Sequence, residues 1–275
     1  MTTAPLFADH ALSARLESAD ARLLVLCHAA VVEHLPERPS ALLEVGGGVA
    51  PFLGPRISLS RAAGLGMNGP VTDADLDALE DFYRQRGEGV DLLLSPYADP
   101  SLFEGLGARG FRLVELDTVL AQRLDATDCS AAPAGEITVR AMRSDERAAW
   151  VAASLAGFVG VDDNVAGEMN ATFEAISHVP TSTYLFASID GAVAGTAAVD
   201  VQSGAANLIA ASTLPGARRR GVQAALLRAR LDLARAAGCD LAFTRTAPGG
   251  PSQRNAERQG FRTMYSRARL SKRLT

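Results

Sequence analysis

The sequence predicts an α/β (α+β) protein built from two halves of similar organisation. Three observations carry that prediction. Residues 137–270 alternate strand-like and helical runs separated by turn residues. Two distant stretches end alike: ARGFRLVELDTVLAQRL (Ala108–Leu124) and RQGFRTMYSRARLSKRL (Arg258–Leu274). At an offset of 150, Gly110, Phe111, Arg112, Leu120, Arg123 and Leu124 meet Gly260, Phe261, Arg262, Leu270, Arg273 and Leu274. Between the halves, Asp125–Gly135 is small, polar and Pro/Gly-bearing, as a linker is. The expected domains are therefore 1–125 and 136–275, with a linker at 126–135.

In the second half, Ile137–Arg140 reads as a strand, and Ser144–Gly157 and Asp162–His178 read as helices. Thr183–Ile189 and Ala192–Val201 read as strands joined at Asp190-Gly191, a dipeptide suited to the two left-handed positions of a hairpin turn. Ala205–Thr213 is the next strand. After it, Val222, Leu226, Ala229, Leu233 and Ala237 recur at helical spacing and define one buried face, with Gly238 placed to end the helix. Strand Leu241–Thr246, short helix Ser252–Gln259 and strand Phe261–Leu270 complete the half. In the first half, Val90–Pro96 (VDLLLSP) matches Cys239–Arg245 (CDLAFTR) in pattern. Before it, Gly64, Gly66 and Gly69 form a turn ahead of a helix with Thr72 as N-cap and Asp73, Asp75 and Asp77 in its first turn.

Composition bounds the class. Hydrophobic residues at 48% and charged residues at 21% describe a soluble globular chain with a large core. No run reaches the length of a membrane span, and the first residues lack the basic and apolar stretches of a secretory signal. Cys27, Cys129 and Cys239 are few and far apart, which points to reduced thiols and a cytoplasmic location. Neither they nor the four histidines have metal-ligand spacing. Residues 1–125 hold 10 basic and 18 acidic side chains, a net −8; the remaining 17 and 13 give +4. That basic excess is small and no stacking aromatics punctuate it, which argues against nucleic acid.

The most informative stretch is Thr213–Ala237, TLPGARRRGVQAALLRARLDLARAA. A strand ends, a turn follows, and three arginines and a glycine open a helix. A helix start already carries about half a positive charge and prefers anions. Arg218, Arg219 and Arg220 make sense there if an anion is bound by free N–H groups, with Gly221 allowing close approach.

These residues resemble the GCN5-related N-acetyltransferase (GNAT) superfamily, whose pyrophosphate loop reads Q/R-x-x-G-x-G/A. Here the loop is Arg218-Arg219-Arg220-Gly221-Val222-Gln223, with Gln223 in place of a small residue and Ala224 next. The family also ends in a short helix, then G-F, then a strand, matched here by SQRNAERQGFRTMYSRARL with Gly260 and Phe261. The resemblance covers about Glu136–Leu274. It implies two tandem GNAT-like domains, each a mixed, mostly antiparallel sheet flanked by helices. The N-terminal domain would be degenerate, since Asp73, Asp75 and Asp77 would repel a pyrophosphate.

The resemblance further implies an N-acetyltransferase that uses acetyl-CoA as cosubstrate without a metal, by direct attack of an amine on the thioester. The acceptor would be a small-molecule or peptide amine, with no nucleic acid or membrane partner and a homodimer left open. Thr213 and Leu214 would pair with the pantetheine arm. Arg218, Arg219, Arg220, Gly221, Val222, Gln223 and Ala224 would hold the pyrophosphate, and Ser252 and Asn255 would bond the arm or thiol. The family's general-acid tyrosine stands four residues before the glycine of G-F, where this chain has Ala256. Tyr265 is the nearest phenol in sequence and the candidate proton donor, ahead of Tyr184 and of a water held by Ser252. Among Asp162, Asp163, Glu168 and Glu174, Glu168 is the candidate base. His178 closes its helix, and Trp150 and Phe158 read as core. A non-catalytic CoA-binding sensor or scaffold is the alternative, because the helix tyrosine is missing and one half lacks a phosphate loop.

Overall fold

The computed structural model describes residues 6–124, 137–158 and 163–274, with the side chains of 163–166 left out. The expected linker 126–135, Asp162 and the Asp163 side chain lie outside the described residues. The elements run α1 (His10–His34), β1 (Ala41–Val45), β2 (Gly48–Phe52), α2 (Asp73–Arg84), β3 (Val90–Leu94), α3 (Pro100–Ala108) and β4 (Arg112–Arg123). They continue with β5 (Ile137–Ala141), α4 (Arg147–Ala156), α5 (Asp163–Ile176), β6 (Ser182–Ile189), β7 (Ala192–Gln202), β8 (Ala205–Thr213), α6 (Val222–Ala236), β9 (Leu241–Thr246), α7 (Pro251–Arg258) and β10 (Arg262–Lys272).

These elements form two compact units, and the units are not the two halves of the sequence. The first comprises Phe7–Val119 and Met264–Thr275; the second comprises Leu120–Thr263 and Met1–Leu6. Strand β10 pairs antiparallel with β3 of the first unit, Ala268 opposite Leu94 and Lys272 opposite Val90. The end of the chain therefore completes the first unit. Local sequence specifies that 262–272 is a strand but carries no information about which sheet it joins.

In the first unit, β1 and β2 form a hairpin turned at Gly46 and Gly47, both left-handed at φ 56 and 74. Helix α2 starts as expected. Thr72 Oγ1 accepts from Asp75 N–H at 3.2 Å, and the Asp75 carboxylate accepts from Thr72 N–H at 2.8 Å, a closed capping box. The hydrogen bonds from Thr72 hold the Asp75 carboxyl below its usual range. A depressed carboxyl contributes stability above its unfolded value and loses it as pH falls through the folded one. Thr72→Ala is expected to cost about 1 kcal/mol. Thermal melts should show that difference at pH 7 and a smaller one at pH 3.

In the second unit, β5, β6, β7 and β8 are antiparallel in that order, and β9 lies parallel to β8. Asp190 and Gly191 turn the β6–β7 hairpin at φ 51 and 79, both left-handed as expected. Helix α6 packs on β7 and β8. Val222 and Leu226 pack with Leu185, Ala187 and Ala197 on one side. Leu227, Leu231 and Ala234 pack with Val199, Leu208, Ala242 and Phe261 on the other. The buried face is thus shifted from the stripe read from sequence: Val222 and Leu226 are buried, Ala229 and Leu233 are half-buried, Ala237 is exposed, and the face contains Arg230 at 4% exposure.

Candidate functional site

The site is built where β8 and β9 separate. Their parallel pairing runs only from Ala205 opposite Leu241 to Asn207 opposite Phe243. Beyond it, β8 continues to Thr213 and β9 to Thr246 without pairing to each other, which opens a fork. Thr244 Oγ1 donates to Leu208 O at 3.0 Å, so the first carbonyl past the last pair is satisfied by a side chain. On its other edge β8 keeps its pairing with β7, but with a bulge. Thr196 faces Ser212 and Ala198 faces Ile209, so Ala197 is opposed by two residues, Ala210 and Ala211. Ala210 has φ 51, unusual for a residue with a side chain. Leu214 N–H donates to Ala194 O at 2.9 Å. In an antiparallel ladder such bonds alternate, so Thr213, one residue earlier and opposite Gly195, directs its N–H and C=O away from β7.

The turn after β8 leads into α6. Gly221 is the N-cap at φ 88, with no side-chain cap. A Cβ there would meet only Ile137 Cδ1, at 3.5 Å. Glycine is needed for its left-handed backbone rather than for space. Arg219 is also left-handed, at φ 63, a costly conformation for arginine that concentrates at ligand sites. Ala225 N–H reaches Gly221 O at 3.0 Å, but the N–H groups of Val222, Gln223 and Ala224 have no protein acceptor among the described residues. Arg218, Arg219 and Arg220 are exposed around them, and Arg218 Nη2 donates to Gly157 O at 2.9 Å, which ties the loop to the end of α4. Gln223 Nε2 donates to Thr213 Oγ1 at 2.9 Å and fixes the helix start to the end of β8. This helix start is open where that of α2 is closed.

A model of the acetyltransferase (GNAT) family matches residues 139–261, the stretch that holds β8, the loop and α6. Residues 139–261 are a GNAT-family domain. No curated protein matches the chain at a significant level. Among solved structures, a GCN5-related N-acetyltransferase from Kribbella flavida is 20% identical, with 95% of this chain and 96% of that one covered and a TM-score of 0.67. A tandem GNAT protein from the clavulanic acid biosynthesis pathway is 16% identical over 97% and 96% of the chains, with a TM-score of 0.58. A GCN5-related N-acetyltransferase from Sphaerobacter thermophilus is 18% identical over 85% and 75%, with a TM-score of 0.53. At these identities the likeness is one of fold.

GNAT acetyltransferases use acetyl-CoA, and the GNAT domain here fits such a ligand on two counts. Three unclaimed N–H groups at a helix start, flanked by arginines, suit a pyrophosphate. Near them, two buried hydroxyls have no partner among the described residues, Ser212 Oγ near the end of β8, against Gly157, and Thr246 Oγ1 at the end of β9, which suits an arm bearing amides and hydroxyls.

The remaining site expectations divide. Leu214 does not have its N–H free for an arm as expected: that N–H goes to Ala194, and its carbonyl already accepts from Ala217 N–H at 2.9 Å. Ser252 is exposed on the first turn of α7, and Asn255, half-buried, accepts from Arg258 Nη1 at 3.2 Å. Ala256 is core, packed with Phe261, Leu227 and Leu231. Glu168 is half-buried on α5, and its carbonyl accepts from Thr172. Tyr184 is committed: its hydroxyl bonds Ile176 O at 2.6 Å and Val179 O at 2.9 Å.

Tyr265 is not available as a proton donor. It belongs to the first unit, 7% exposed, with its hydroxyl donating to Glu17 Oε1 at 2.8 Å. Burial, then the Glu17 charge, pushes its pKa upward, so it holds its proton more tightly than a free phenol. The physical reason is the placement of β10, which the repeat in the sequence did not reveal. Sequence reasoning also missed Arg230, because an arginine on a helix reads as solvated. Among the described residues no group of three or more His, Cys, Asp or Glu could hold a metal ion, and no helix is long and apolar enough to cross a membrane.

Proposed function

We propose that the chain is an acyl-CoA-dependent N-acetyltransferase that moves an acetyl group from acetyl-CoA to the amine of a small molecule or peptide. The single observation that carries this reading is the open start of α6, with its left-handed Gly221, its three N–H groups without protein acceptors among the described residues and its surrounding arginines. In this reading the Val222, Gln223 and Ala224 N–H groups, with Arg218, Arg219 and Arg220, hold the pyrophosphate, while Thr213 offers its backbone to the arm. Ser252 and Asn255 bond the arm or a water from α7. The bound cosubstrate supplies an acyl group activated as a thioester. The domain orients the amine against it, and Glu168 is the candidate to accept the amine proton.

The first half, whose corresponding helix start is closed by Thr72 and Asp75, is read as a degenerate GNAT-like domain that holds no CoA. Calorimetry with CoA should therefore give one site per chain; two would sink that reading of α2. A non-catalytic CoA-binding sensor is the second reading, favoured by the burial of Ala256 and the sequestration of Tyr265. Thiol release from acetyl-CoA across a panel of amines separates the two. Release above the hydrolytic background supports the enzyme, and binding without release supports the sensor.

A further inference from the structure

The two buried arginines among the described residues are treated in opposite ways. Arg267, 1% exposed, is held by Glu17, Asp20 and Asp117. Arg230, 4% exposed, has no carboxylate partner among the described residues. Its Nε donates to Leu226 O at 3.2 Å, one turn back along α6, and its Nη1 lies 3.5 Å from Ile209 O. Two carbonyl dipoles do not neutralise a charge. Burial alone pulls its pKa down to about 10, so the side chain is still cationic at neutral pH. A buried ion without a counter-ion is costly, and an apolar side chain would serve the packing of α6 better.

Its place in the fold gives that cost a use. Gln223 and Arg230 are seven residues apart, on the stripe of α6 that lies over β8. Gln223 reaches Thr213 at the end of β8, and Arg230 reaches Ile209, beside the bulge and past the last β8–β9 pair. Eight residues of helix separate Val222 from Arg230, about 12 Å. A ligand with phosphates at the start of α6 and an arm following β8 towards the fork would bring its far end to Arg230.

The geometry points to Arg230 as the group that stabilises the departing thiolate of coenzyme A, where the family's tyrosine position is occupied by Ala256. The inference rests on the acyl-CoA reading above. In the transfer, the amine nitrogen forms a bond to the thioester carbon and the carbon–sulfur bond breaks, leaving its electron pair on sulfur. The amine gives up one proton to water or to the base, and the sulfur later takes one from water. Between those events the negative charge on sulfur faces the guanidinium and supplies the counter-ion that the described residues do not. Ala256 is core and Tyr265 is committed to Glu17, so neither of those positions offers a proton to the sulfur.

The test reads the thiol of bound coenzyme A directly, by titrating its ultraviolet thiolate absorbance in the complex with the full chain. A free thiol titrates near about 8.5, and a nearby opposite charge should move that midpoint down by about 1 to 3 on the pH scale. The wild-type complex is expected to show the lowered midpoint, Arg230→Met to return to the value of free coenzyme A, and Arg230→Lys, which keeps the charge, to stay in between. Turnover should fall by up to about tenfold each time the midpoint of a variant rises by one on the pH scale. A wild-type midpoint equal to that of free coenzyme A, or a lowered midpoint that survives in Arg230→Met, overturns the proposal. Failure of the wild-type chain to bind coenzyme A overturns the acyl-CoA reading itself, a distinguishable result.

Discussion

Gly221→Val is expected to abolish CoA binding while leaving the fold in place. Gly221 holds φ 88 at the start of α6, in open space, with Ile137 Cδ1 at 3.5 Å the nearest contact of an added Cβ. A side-chain-bearing residue in that left-handed conformation costs about 1 to 2 kcal/mol. A β-branched one either accepts that strain or rotates the turn, which moves the Val222, Gln223 and Ala224 N–H groups out of their common direction. Two lost hydrogen bonds to a charged group, at about 1.5 to 3 kcal/mol each, amount to a loss of at least about 100-fold in affinity. The valine side chain would also stand where a phosphate must approach. Calorimetry with CoA reads the affinity, and a thermal melt reads the modest loss of stability. Retention of wild-type affinity would show that the anion site lies elsewhere.

Arg267→Ala is expected to be among the most destabilising single substitutions in the first unit. The guanidinium bonds Asp20 Oδ2 at 2.7 Å and Glu17 Oε2 at 3.2 Å, and lies 3.4 Å from Asp117 Oδ2. Glu17 and Asp20 are 2% and 3% exposed. Removing the cation leaves the Glu17 and Asp20 carboxylates buried without that positive charge, with Glu17 still bonded by the Tyr265 hydroxyl, at a cost of about 3 to 5 kcal/mol and a fall in Tm of about 10 °C.

Adding Glu17→Gln and Asp20→Asn should recover much of the loss at pH 7. A variant that melts with the wild type would show that the network contributes little.

The candidate phosphate loop was legible in the sequence because its signal is local. Arginines crowded at a helix start are electrostatically misplaced without an anion, and that anomaly needs no tertiary knowledge to detect. The Asp190-Gly191 hairpin and the Thr72 cap were legible for the same reason, since each is decided within four residues. The proton donor was not. Tyr265 and Gly221 lie in one sequence half but in different compact units, and Glu17, which holds the tyrosine, is 248 residues away in sequence. Leu214 was misassigned because whether a strand residue's N–H faces its partner or the open edge depends on register, and register depends on the pairing of β8 with β7.

By itself the sequence determined the order of strands and helices in the second half and the chemistry of the turn that opens α6. Periodicity, caps and turn residues act over a few residues, so the chain carries them wherever it goes. Only the tertiary structure decided that β8 parts from β9 after Asn207, that β10 completes the first unit beside β3, and that, among the described residues, Arg230 is buried without a counter-ion while Arg267 has three. Each of these depends on which distant segment supplies the neighbouring surface, and a strand's edge or an arginine's charge has no partner until that segment is in place.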